Sequence, residues 1–420
     1  MNDRTMENIK KEKKHSLPKG WEIKKLGDVL TIERGGSPRP IKKYLTDSSE
    51  GINWIKISDA TASNKYIYET KEKITREGLH KTRMVHEGDF LLSNSMSFGR
   101  PYIMRTSGCI HDGWLVLKQE GEKVFEIEYL YYLLSSPYLF EQFDSLAAGS
   151  TVRNLNIRLV SSVEVPVPPL PEQQRIVSIL DKCFSAIERS RNNAEQNLKN
   201  AKELFESYLQ GVFDPSTRSG QGKGEGWEEK KLGEVYDVRD GTHDSPKYHN
   251  QGYPLVTSKN LKNHKLTFDN IKFISETDYL NINKRSKVDV GDVLFAMIGT
   301  IGNPVVIEDE PNYAIKNVAL FKVGNNQNSY FLKYFLDSKQ TIEKMMRDAK
   351  GTTQKFVGLG YLRSFPILVP PLKEQQTIVR QLDTLRIETQ KLESIYQKKI
   401  LLLEELKKSI LQKAFSGELN

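Results

Sequence analysis

The sequence predicts an α+β protein with two mixed α/β globules in tandem, each followed by a long helix. The chain has 420 residues, more than one typical domain. One eleven-residue segment occurs twice, 202 residues apart, and after each copy the apolar pattern changes from short runs to a helical period. A repeat of this length is typical of duplicated domains, because solenoids repeat every ~20–50 residues.

The repeated segment is VPPLPEQQRIV at 167–177 and VPPLKEQQTIV at 369–379, with nine of eleven positions identical. A proline pair favours extended backbone and excludes helix, so each copy predicts a hinge between a globule and a helix. The two globules also open alike, with GWEIKKLGDVL at 20–30 and GWEEKKLGEVY at 226–236. The repeat therefore extends from the opening of each half to its hinge.

Each globule carries short strand-like runs and then one helix-like stretch. The segments 88–93 and 291–299 each begin with Gly-Asp, which is turn chemistry leading into a strand. Further runs are WLVLK in the first half and VALFKV in the second, and helix-like stretches follow at 129–143 and 330–346. The interiors of the globules otherwise align poorly, which predicts a repeated framework with different loops.

Small polar turns follow these stretches, GSTVRN in the first half and GTTQKF in the second. Ser150 and Thr151, like Thr352 and Thr353, have two interpretations. Their hydroxyls either cap the start of a helix or, together with the residues that follow them, contact nucleic acid.

After each hinge, apolar residues follow 4-3 spacing over about six heptads, which is typical of a coiled coil. We expect helices at 172–213 and 374–415. Neither helix can bury its apolar stripe alone, so we expect the two to pack on each other, either antiparallel or parallel. The alternative is that each helix caps its own globule. These patterns divide the chain into a basic N-terminal arm (1–19), globule 1 (20–166), hinge and helix 1 (167–213), a flexible linker (214–225), globule 2 (226–368), and hinge and helix 2 (369–420).

Composition restricts the function and the compartment. The net charge of +8 favours anionic partners, nucleic acid first among them. Two cysteines are too few for a disulfide framework, which favours a reducing cytoplasm. No apolar run reaches the ~18 residues that span a bilayer, and the charged N-terminus does not resemble a secretory signal. We therefore expect no membrane partner.

The sequence shows no motif for catalysis, cofactor binding or metal binding. No G-x-G-x-x-G follows a strand, GQGKGEG lacks the ending of a phosphate-binding loop, and the seven histidines are scattered. We therefore predict that the chain is not an enzyme and has no catalytic, cofactor or metal residues of its own.

Polar loops of the globules instead carry side chains suited to DNA. Arg and Lys pair with guanine edges or phosphates, Asn and Gln with adenine, and Ser and Thr with either. The alternative is that these are ordinary surface loops. The candidate DNA-binding residues are Arg34, Ser37, Arg39, Lys42, Asn94, Ser95, Ser97, Arg100, Thr151, Arg153, Arg239, Thr242, His243, Lys259, Asn260, Thr352, Gln354 and Lys355.

The openings, the GST and GTT turns, the VPPLPEQQ and VPPLKEQQ hinges and the two long helices together resemble the specificity (S) subunits of type I restriction–modification systems. The resemblance covers the chain from Leu17 to Asn420. In one departure from an even repeat, Asn154 and Asn156 of the first turn are matched by Phe356 and Gly358.

The resemblance implies a non-catalytic subunit in which each globule is a target recognition domain that reads half of a bipartite double-stranded DNA site. Unlike loops imply unlike half-sites, and therefore an asymmetric target. The helices would pair as an antiparallel coiled coil with pseudo-two-fold symmetry, acting as a fixed spacer.

The resemblance also implies partners. Two copies of a DNA methyltransferase (modification) subunit would dock on the helices, and restriction/translocase subunits would join the full complex. S-adenosylmethionine, ATP and Mg would bind in those partners. We assign the hinges to the first helical turns and to partner docking, through Pro168, Pro169, Glu172, Gln173, Pro370, Pro371, Glu374 and Gln375. Two alternatives stay open at this stage: a coiled-coil scaffold joining two protein-binding domains, or a DNA enzyme with unrecognised catalytic motifs.

Overall fold

The computed structural model describes residues 18–61, 63, 65–94, 98–147, 154–214 and 226–419. Most of the N-terminal arm and the linker lie outside the described residues, as do Ser95, Ser97, Ser150, Thr151 and Arg153. The chain forms two compact units: the first contains residues 1–193 and 398–420, and the second contains residues 194–397. Each unit thus holds one globule and parts of both long helices.

The first unit is a mixed α/β globule with twelve strands among its described residues. Its strands are β1 (Glu22–Lys25), β2 (Thr31–Arg34), β3 (Leu45–Thr46), β4 (Ile52–Ile55), β5 (Tyr66–Ile67), β6 (Glu72–Ile74), β7 (Arg83–Val85), β8 (Phe90–Ser93), β9 (Pro101–Met104), β10 (Gly108–Ile110), β11 (Trp114–Lys118) and β12 (Glu164–Val167). Its helices are α1 (Leu26–Val29), α2 (Ile57–Thr61), α3 (Ile127–Leu134), α4 (Pro137–Ala147), α5 (Ile157–Ser161) and the start of α6 (Leu170–Phe213), with 3-10 turns at Ile41–Lys43 and Arg76–Lys81.

Two five-stranded sheets build this unit, in the orders β2-β11-β8-β9-β5 and β3-β6-β4-β10-β7. In the first of these sheets the strands β8, β9 and β11 are buried on both faces, and their side chains alternate between the two faces. Leu92 and Leu115 pack with α3, α4 and α6, whereas Leu91, Trp114 and Val116 pack on the opposite side. β1 pairs antiparallel with β12, so the opening of the globule is joined to the strand that leads into the hinge.

The second unit repeats this organisation with fewer strands. Its strands are β13 (Glu228–Lys231), β14 (Asp237–Asp240), β15 (Tyr253–Val256), β16 (Leu261–Lys262), β17 (Lys265–Leu266), β18 (Lys272–Ile274), β19 (Val293–Ala296), β20 (Gly302–Val306), β21 (Ala314–Ile315), β22 (Val318–Lys322) and β23 (Pro366–Val369). Its helices are α7 (Leu232–Val235), α8 (Glu276–Ser286), α9 (Ser329–Asp337), α10 (Lys339–Asp348), α11 (Leu359–Ser364) and much of α12 (Leu372–Ser416), with a 3-10 turn at Ser258–Asn260.

The sheets of the two units correspond strand for strand in their centres. The order β14-β22-β19-β20 matches β2-β11-β8-β9, and β18-β15-β21 matches β6-β4-β10. In the latter sheets the middle strand pairs antiparallel with one neighbour and parallel with the other in both units. The interiors that align poorly in sequence therefore share one framework.

Two long helices are confirmed, with 44 residues in α6 and 45 in α12, and each begins two residues earlier than predicted. In the first unit, Arg175 of α6 donates to the Leu419 carbonyl, and Arg191 of α6 pairs with Glu404 at 3.7 Å. Residue numbers rise along α6 as they fall along the C-terminal segment, so the segments are antiparallel in this unit.

The second unit shows the same direction of pairing. Tyr208 of α6 donates to Gln381 of α12 at 3.1 Å, and the Arg386 guanidinium lies 4.8 Å from the Phe205 ring centroid. Thr389, a polar residue within the apolar stripe of α12, is buried. Its hydroxyl donates to the Leu385 and Arg386 carbonyls, so its polar atom is satisfied within the helix.

Each stretch that we expected to be one helix is two helices, and this part of the prediction is wrong. α3 ends at Leu134 and α4 begins at Pro137, while α9 ends at Asp337 and α10 begins at Lys339. Buried Ser136 and Ser338 lie at the two breaks, and their hydroxyls donate to the carbonyls of Leu133 and Phe335. These hydrogen bonds give the chain a local alternative to continuing the helix.

Candidate nucleic-acid interface

In both units, the loop that follows the strand β2 or its counterpart β14 packs closely against the protein's own backbone. A Cβ atom on Gly35 would lie 2.1 Å from the His111 carbonyl oxygen, and one on Gly241 would lie 2.2 Å from that of Ile315. Only glycine fits so close to the facing backbone, and this close approach holds both loops at equivalent positions.

In the first unit, Asp112 gathers four of the candidate DNA-binding residues. Its carboxylate accepts from the Ser37 hydroxyl at 2.8 Å and from the Arg39 guanidinium at 3.3 Å. Its carbonyl accepts from the Asn94 amide at 2.8 Å and from Arg34 Nε at 3.1 Å. The hydrogen bond from Ser37 lowers the pKa of Asp112 below its ordinary value. The loop is therefore organised by a carboxylate that sequence reasoning missed.

His111 lies beside this cluster at the end of β10. The backbone N–H of Gly113 donates to its Nδ1 at 2.8 Å, and burial lowers the pKa of the imidazole. The ring is therefore neutral at pH 7, with its remaining proton on Nε2. The residues His111 to Gly113 form the turn between the buried strands β10 and β11. In the sequence, this turn is marked by three residues of turn type between two apolar runs.

A recess of about 1220 Å³ opens next to His111 and the 37–42 loop. Its walls are mainly apolar, and three cationic residues are among those that line it. The lining residues are Ser37, Pro38, Arg39, Pro40, Ile41, Lys42, Trp54, Lys56, Ile57, Ser58, Thr61 and His111.

In the second unit, the equivalent cluster is built around Asp240, which ends β14. Its carboxylate accepts from Arg285 at 2.9 Å and lies 2.8 Å from Nε2 of His243. Nδ1 of His243 lies 2.8 Å from the Asn317 side chain. His243 is thus held between two polar groups, and Asp240, Arg285 and Asn317 are further residues that the sequence did not single out.

A recess of about 570 Å³ adjoins this second cluster. All but two of its lining residues are polar or charged. They are Thr242, His243, Asp244, Ser245, Pro246, Asp278, Asn281, Ile282, Arg285 and Ser286. The two units therefore present recesses of different chemistry at equivalent loops.

Other candidate residues are distributed around the globules. Asn94 and Asn260 are buried, and the Asn260 amide bonds to Thr257 and the Thr267 carbonyl. Both amides are thus occupied in holding loops together. Arg239 pairs with Asp237, and the Arg100 guanidinium lies 5.4 Å from the Tyr102 ring centroid. Lys42 and Lys259 are exposed.

The turn at 349–358 does not cap a helix through its threonines, and that part of the prediction is wrong. The following helix, α11, begins at Leu359 with Gly358 as its N-cap residue. Thr352, Gln354 and Lys355 are exposed on a turn closed by paired hydrogen bonds between Lys350 and Phe356. In the first unit the corresponding helix is capped by Asn156, which accepts from the Leu159 N–H at 3.0 Å.

The hinge glutamines make equivalent contacts in both units, two of the three to matching backbone groups. Buried Gln173 accepts from the Glu126 N–H and donates to the Val124 and Pro168 carbonyls, each at 2.8–2.9 Å. Buried Gln375 accepts from the Asn328 N–H and donates to Gln327 and the Pro370 carbonyl over the same distances. Each glutamine thus ties the first turn of a long helix to the segment before α3 or α9.

The remaining hinge candidates differ in exposure. Pro168 and Pro370 are buried, Pro169 and Pro371 are exposed, and both glutamates are half-buried. Glu172 pairs with Arg175, while Glu374 accepts from the Trp227 indole at 2.7 Å.

The described residues show neither a metal-binding cluster nor a helix that could span a membrane. Within the described ranges, no three histidine, cysteine or acidic side chains are grouped to hold a metal ion. The helices described here include none with the length and apolar character needed to cross a bilayer.

Comparison with known protein families shows to which family the chain belongs. A family model described as "Type I restriction modification DNA specificity domain" matches residues 18–196 and again 224–401. The chain belongs to this family. The duplicated match coincides with the two halves that the repeat predicts, so the resemblance drawn from the openings, turns and hinges is confirmed.

Named specificity subunits align over nearly the whole chain. The MjaIX specificity subunit of Methanocaldococcus jannaschii is 25% identical over 426 residues, covering 96% of this chain and 94% of the relative. The EcoKI specificity subunit of Escherichia coli K12 is 22% identical over 433 residues, covering 96% of this chain and 90% of the relative. Both relatives are named as specificity subunits of type I restriction enzymes. With the family match over both halves, the present chain is assigned as a specificity subunit rather than an enzyme.

A solved specificity subunit shares the fold. The crystal structure of the HsdS subunit from Thermoanaerobacter tengcongensis superimposes with a TM-score of 0.67 at 21% identity, covering 97% of this chain and all of that one. A chain from a structural study of type I restriction–modification assembly gives a TM-score of 0.71 at 22% identity, covering 96% of this chain and all of that chain. The predicted fold of two recognition globules with long helices is therefore confirmed.

Proposed function

We propose that this chain is the DNA-recognition subunit of a type I restriction–modification complex and that it reads an asymmetric, bipartite DNA site. One observation carries the proposal: a single framework occurs twice and presents different side chains at equivalent loops. In the first unit the loop carries Arg39 and Lys42, and in the second it carries His243 and Asp244. Equivalent frames with unlike loops suit two half-sites of unlike sequence.

The candidate DNA-contacting side chains fall into two groups. Lys42, Lys259 and Lys355 are exposed cations suited to phosphate contacts, which position the protein without reading sequence. Ser37, Arg39 and His243 are held in place by carboxylates, and such fixed polar groups suit contact with base edges. The net charge of +8 adds a long-range attraction to the duplex.

Exchange of globules tests this reading directly. We take residues 20–166 and 226–368 as the exchangeable recognition domains. A chain in which the second replaces the first is expected to direct methylation to a site built from two copies of the second half-site. Methylome sequencing of cells that express the chimera with its methyltransferase partner would detect the change. An unchanged methylation motif would contradict the proposal.

We also propose that methyltransferase subunits dock on the long helices, with S-adenosylmethionine bound in those subunits and ATP and Mg in restriction/translocase subunits. Large apolar side chains support this, since Leu401 is 63% exposed and Leu402 is 52% exposed on α12. Replacing both with serine is expected to reduce co-purification of the methyltransferase. Glu405→Ser on the same helix is the control, and equal loss in both variants would argue against docking there.

Such a complex acts on cellular DNA, and we place it in the cytoplasm. Both cysteines are free thiols, which suits a reducing compartment. Burial raises the pKa of the Cys109 thiol to about 11, so this cysteine is protonated at neutral pH and has a packing role.

A further inference from the structure

The recess beside the 37–42 loop combines two features that are not usually adjacent on a protein surface. Its walls are formed by Pro38, Ile41, Trp54 and Ile57, of which Pro38 and Trp54 are buried. The loop that forms one side of it carries the exposed cations Arg39 and Lys42. An apolar hollow with a cationic edge suits a ligand with an apolar group close to negative charge.

DNA presents one such group in the major groove. The base edges there offer hydrogen-bond donors and acceptors, and the only apolar group among them is the 5-methyl group of thymine. A recess of about 1220 Å³ admits that methyl group together with the adjoining base edge and backbone. Lys42, an exposed cation on the same loop, is then available to a phosphate beside the base, while Arg39 is held by Asp112.

We propose that this recess seats the 5-methyl group of a thymine in the half-site read by the first globule. The inference rests on the proposed function and adds the chemistry by which one half-site is read. Ile41 and Ile57 are the side chains that contact the methyl group. Lys56, which also lines the recess, pairs with Glu72, so its charge is balanced inside the protein.

The second unit gives a built-in contrast. Its recess adjoins the equivalent loop, but Asp244, Asp278 and Arg285 are among its lining residues, and only Pro246 and Ile282 are apolar. Carboxylates accept hydrogen bonds from the amino groups of cytosine or adenine and do not favour a methyl group. Sensitivity to thymine methyl groups through this recess therefore belongs to the first half-site alone.

Replacement of thymine by uracil in the DNA tests this, because it removes the methyl group and leaves every hydrogen-bonding atom in place. The complex of this chain with its methyltransferase would be titrated with duplexes in which each thymine of the methylome-defined target is replaced singly. Globule exchange assigns each half-site to its unit. We expect one thymine of the first half-site to lose about four-fold in affinity on replacement, the value of one buried methyl group.

Variants of the recess connect that effect to named side chains. Ile41→Asn and Ile57→Asn each replace an apolar contact with a polar side chain of similar size, and each is expected to reduce the preference for thymine over uracil duplexes. The conservative Ile57→Val change is expected to keep a preference for thymine. Thermal unfolding of each variant separates lost recognition from lost folding.

The outcomes separate the two claims. Equal binding of target and scrambled duplexes would overturn the proposed function itself. Specific binding in which the first half-site contains no methyl-sensitive thymine would overturn only the recess assignment. A methyl-sensitive thymine whose effect persists unchanged in both Ile→Asn variants would also overturn it.

Discussion

The loops that follow β2 and β14 occupy the same place in the two halves, yet the charges around them are exchanged. In the first half, Arg34 ends the strand and Asp112 stands in the turn before β11. In the second, Asp240 ends the strand, and Lys316 stands in the turn before β22 at the position that corresponds to Asp112. The backbone at this point is kept by glycine and by main-chain hydrogen bonds, so its side chains are free to change. This separation explains how one framework can read two sequences.

The hinges show the opposite behaviour. Gln173 and Gln375 are both buried, and each accepts from a backbone N–H and donates to the carbonyl of the first hinge proline. The third partner is the Val124 carbonyl in one hinge and the Gln327 side chain in the other. A buried side-chain amide must satisfy its donors and acceptor, which fixes the geometry around it. The loops therefore carry the differences between the halves, and the hinges carry what the halves have in common.

The largest expected effect comes from separating the halves after Asp214. In the first unit the Phe415 ring lies 5.5 Å from that of Tyr129, and in the second the Phe213 ring lies 5.4 Å from that of Phe331. Phe213 of a second copy can therefore fill the place that Phe415 leaves in the shortened chain. We expect a dimer by light scattering and, with the methyltransferase, methylation of a symmetric site.

The matched control is the same shortened chain with Phe213→Ser, which is expected to lose the dimer. A shortened chain that remains monomeric would show that the two halves are not interchangeable at this contact.

The hinge glutamines give the next largest effect. Gln173→Leu and Gln375→Leu each leave buried hydrogen-bonding groups without a partner, and we expect each to lower the free energy of unfolding by about 2–4 kcal/mol. Urea unfolding of the full chain would measure both. The exposed neighbour Gln376, changed to leucine, is the control and is expected to alter stability by less than about 0.5 kcal/mol. A large difference between the two hinge variants would contradict their equivalence.

The loop carboxylates should differ between the halves. The Asp240 side chain is only 10% exposed and has two charged or ionisable partners, so Asp240→Asn is expected to cost about 1–3 kcal/mol. The Asp112 side chain is 44% exposed, and Asp112→Asn is expected to cost less than about 1 kcal/mol. Thermal unfolding of the two variants would measure this, and the reverse order of stabilities would contradict it.

The smallest effect is a dependence on pH that both halves share. Burial lowers the pKa of His111 in the first unit and of His264 in the second. Near pH 6 these histidines are therefore more protonated in the unfolded chain than in the folded one. The free energy of unfolding falls as the pH drops below the ordinary histidine pKa of about 6.5. We expect His111→Asn and His264→Asn each to flatten that fall when unfolding is followed from pH 7 to pH 5. An unchanged slope in both variants would exclude these histidines as its cause.

The sequence by itself determined the duplication, the two hinges and the two long helices. These features are carried by proline pairs and by periodic apolar residues, whose conformational preferences are local and need no knowledge of the rest of the chain. It also identified the loop from Arg34 to Lys42 as a candidate site, because its residue types suit DNA.

Only the tertiary structure decided which side chains meet there. Asp112 lies far along the chain from Ser37 and Arg39, and β2 and β11 bring them together by pairing. The tertiary structure also placed Asn94 and Asn260 in the interior and formed the recess between the 37–42 loop, Trp54 and His111. Contacts of this kind depend on strand pairing between distant segments, and local residue preferences do not contain that information.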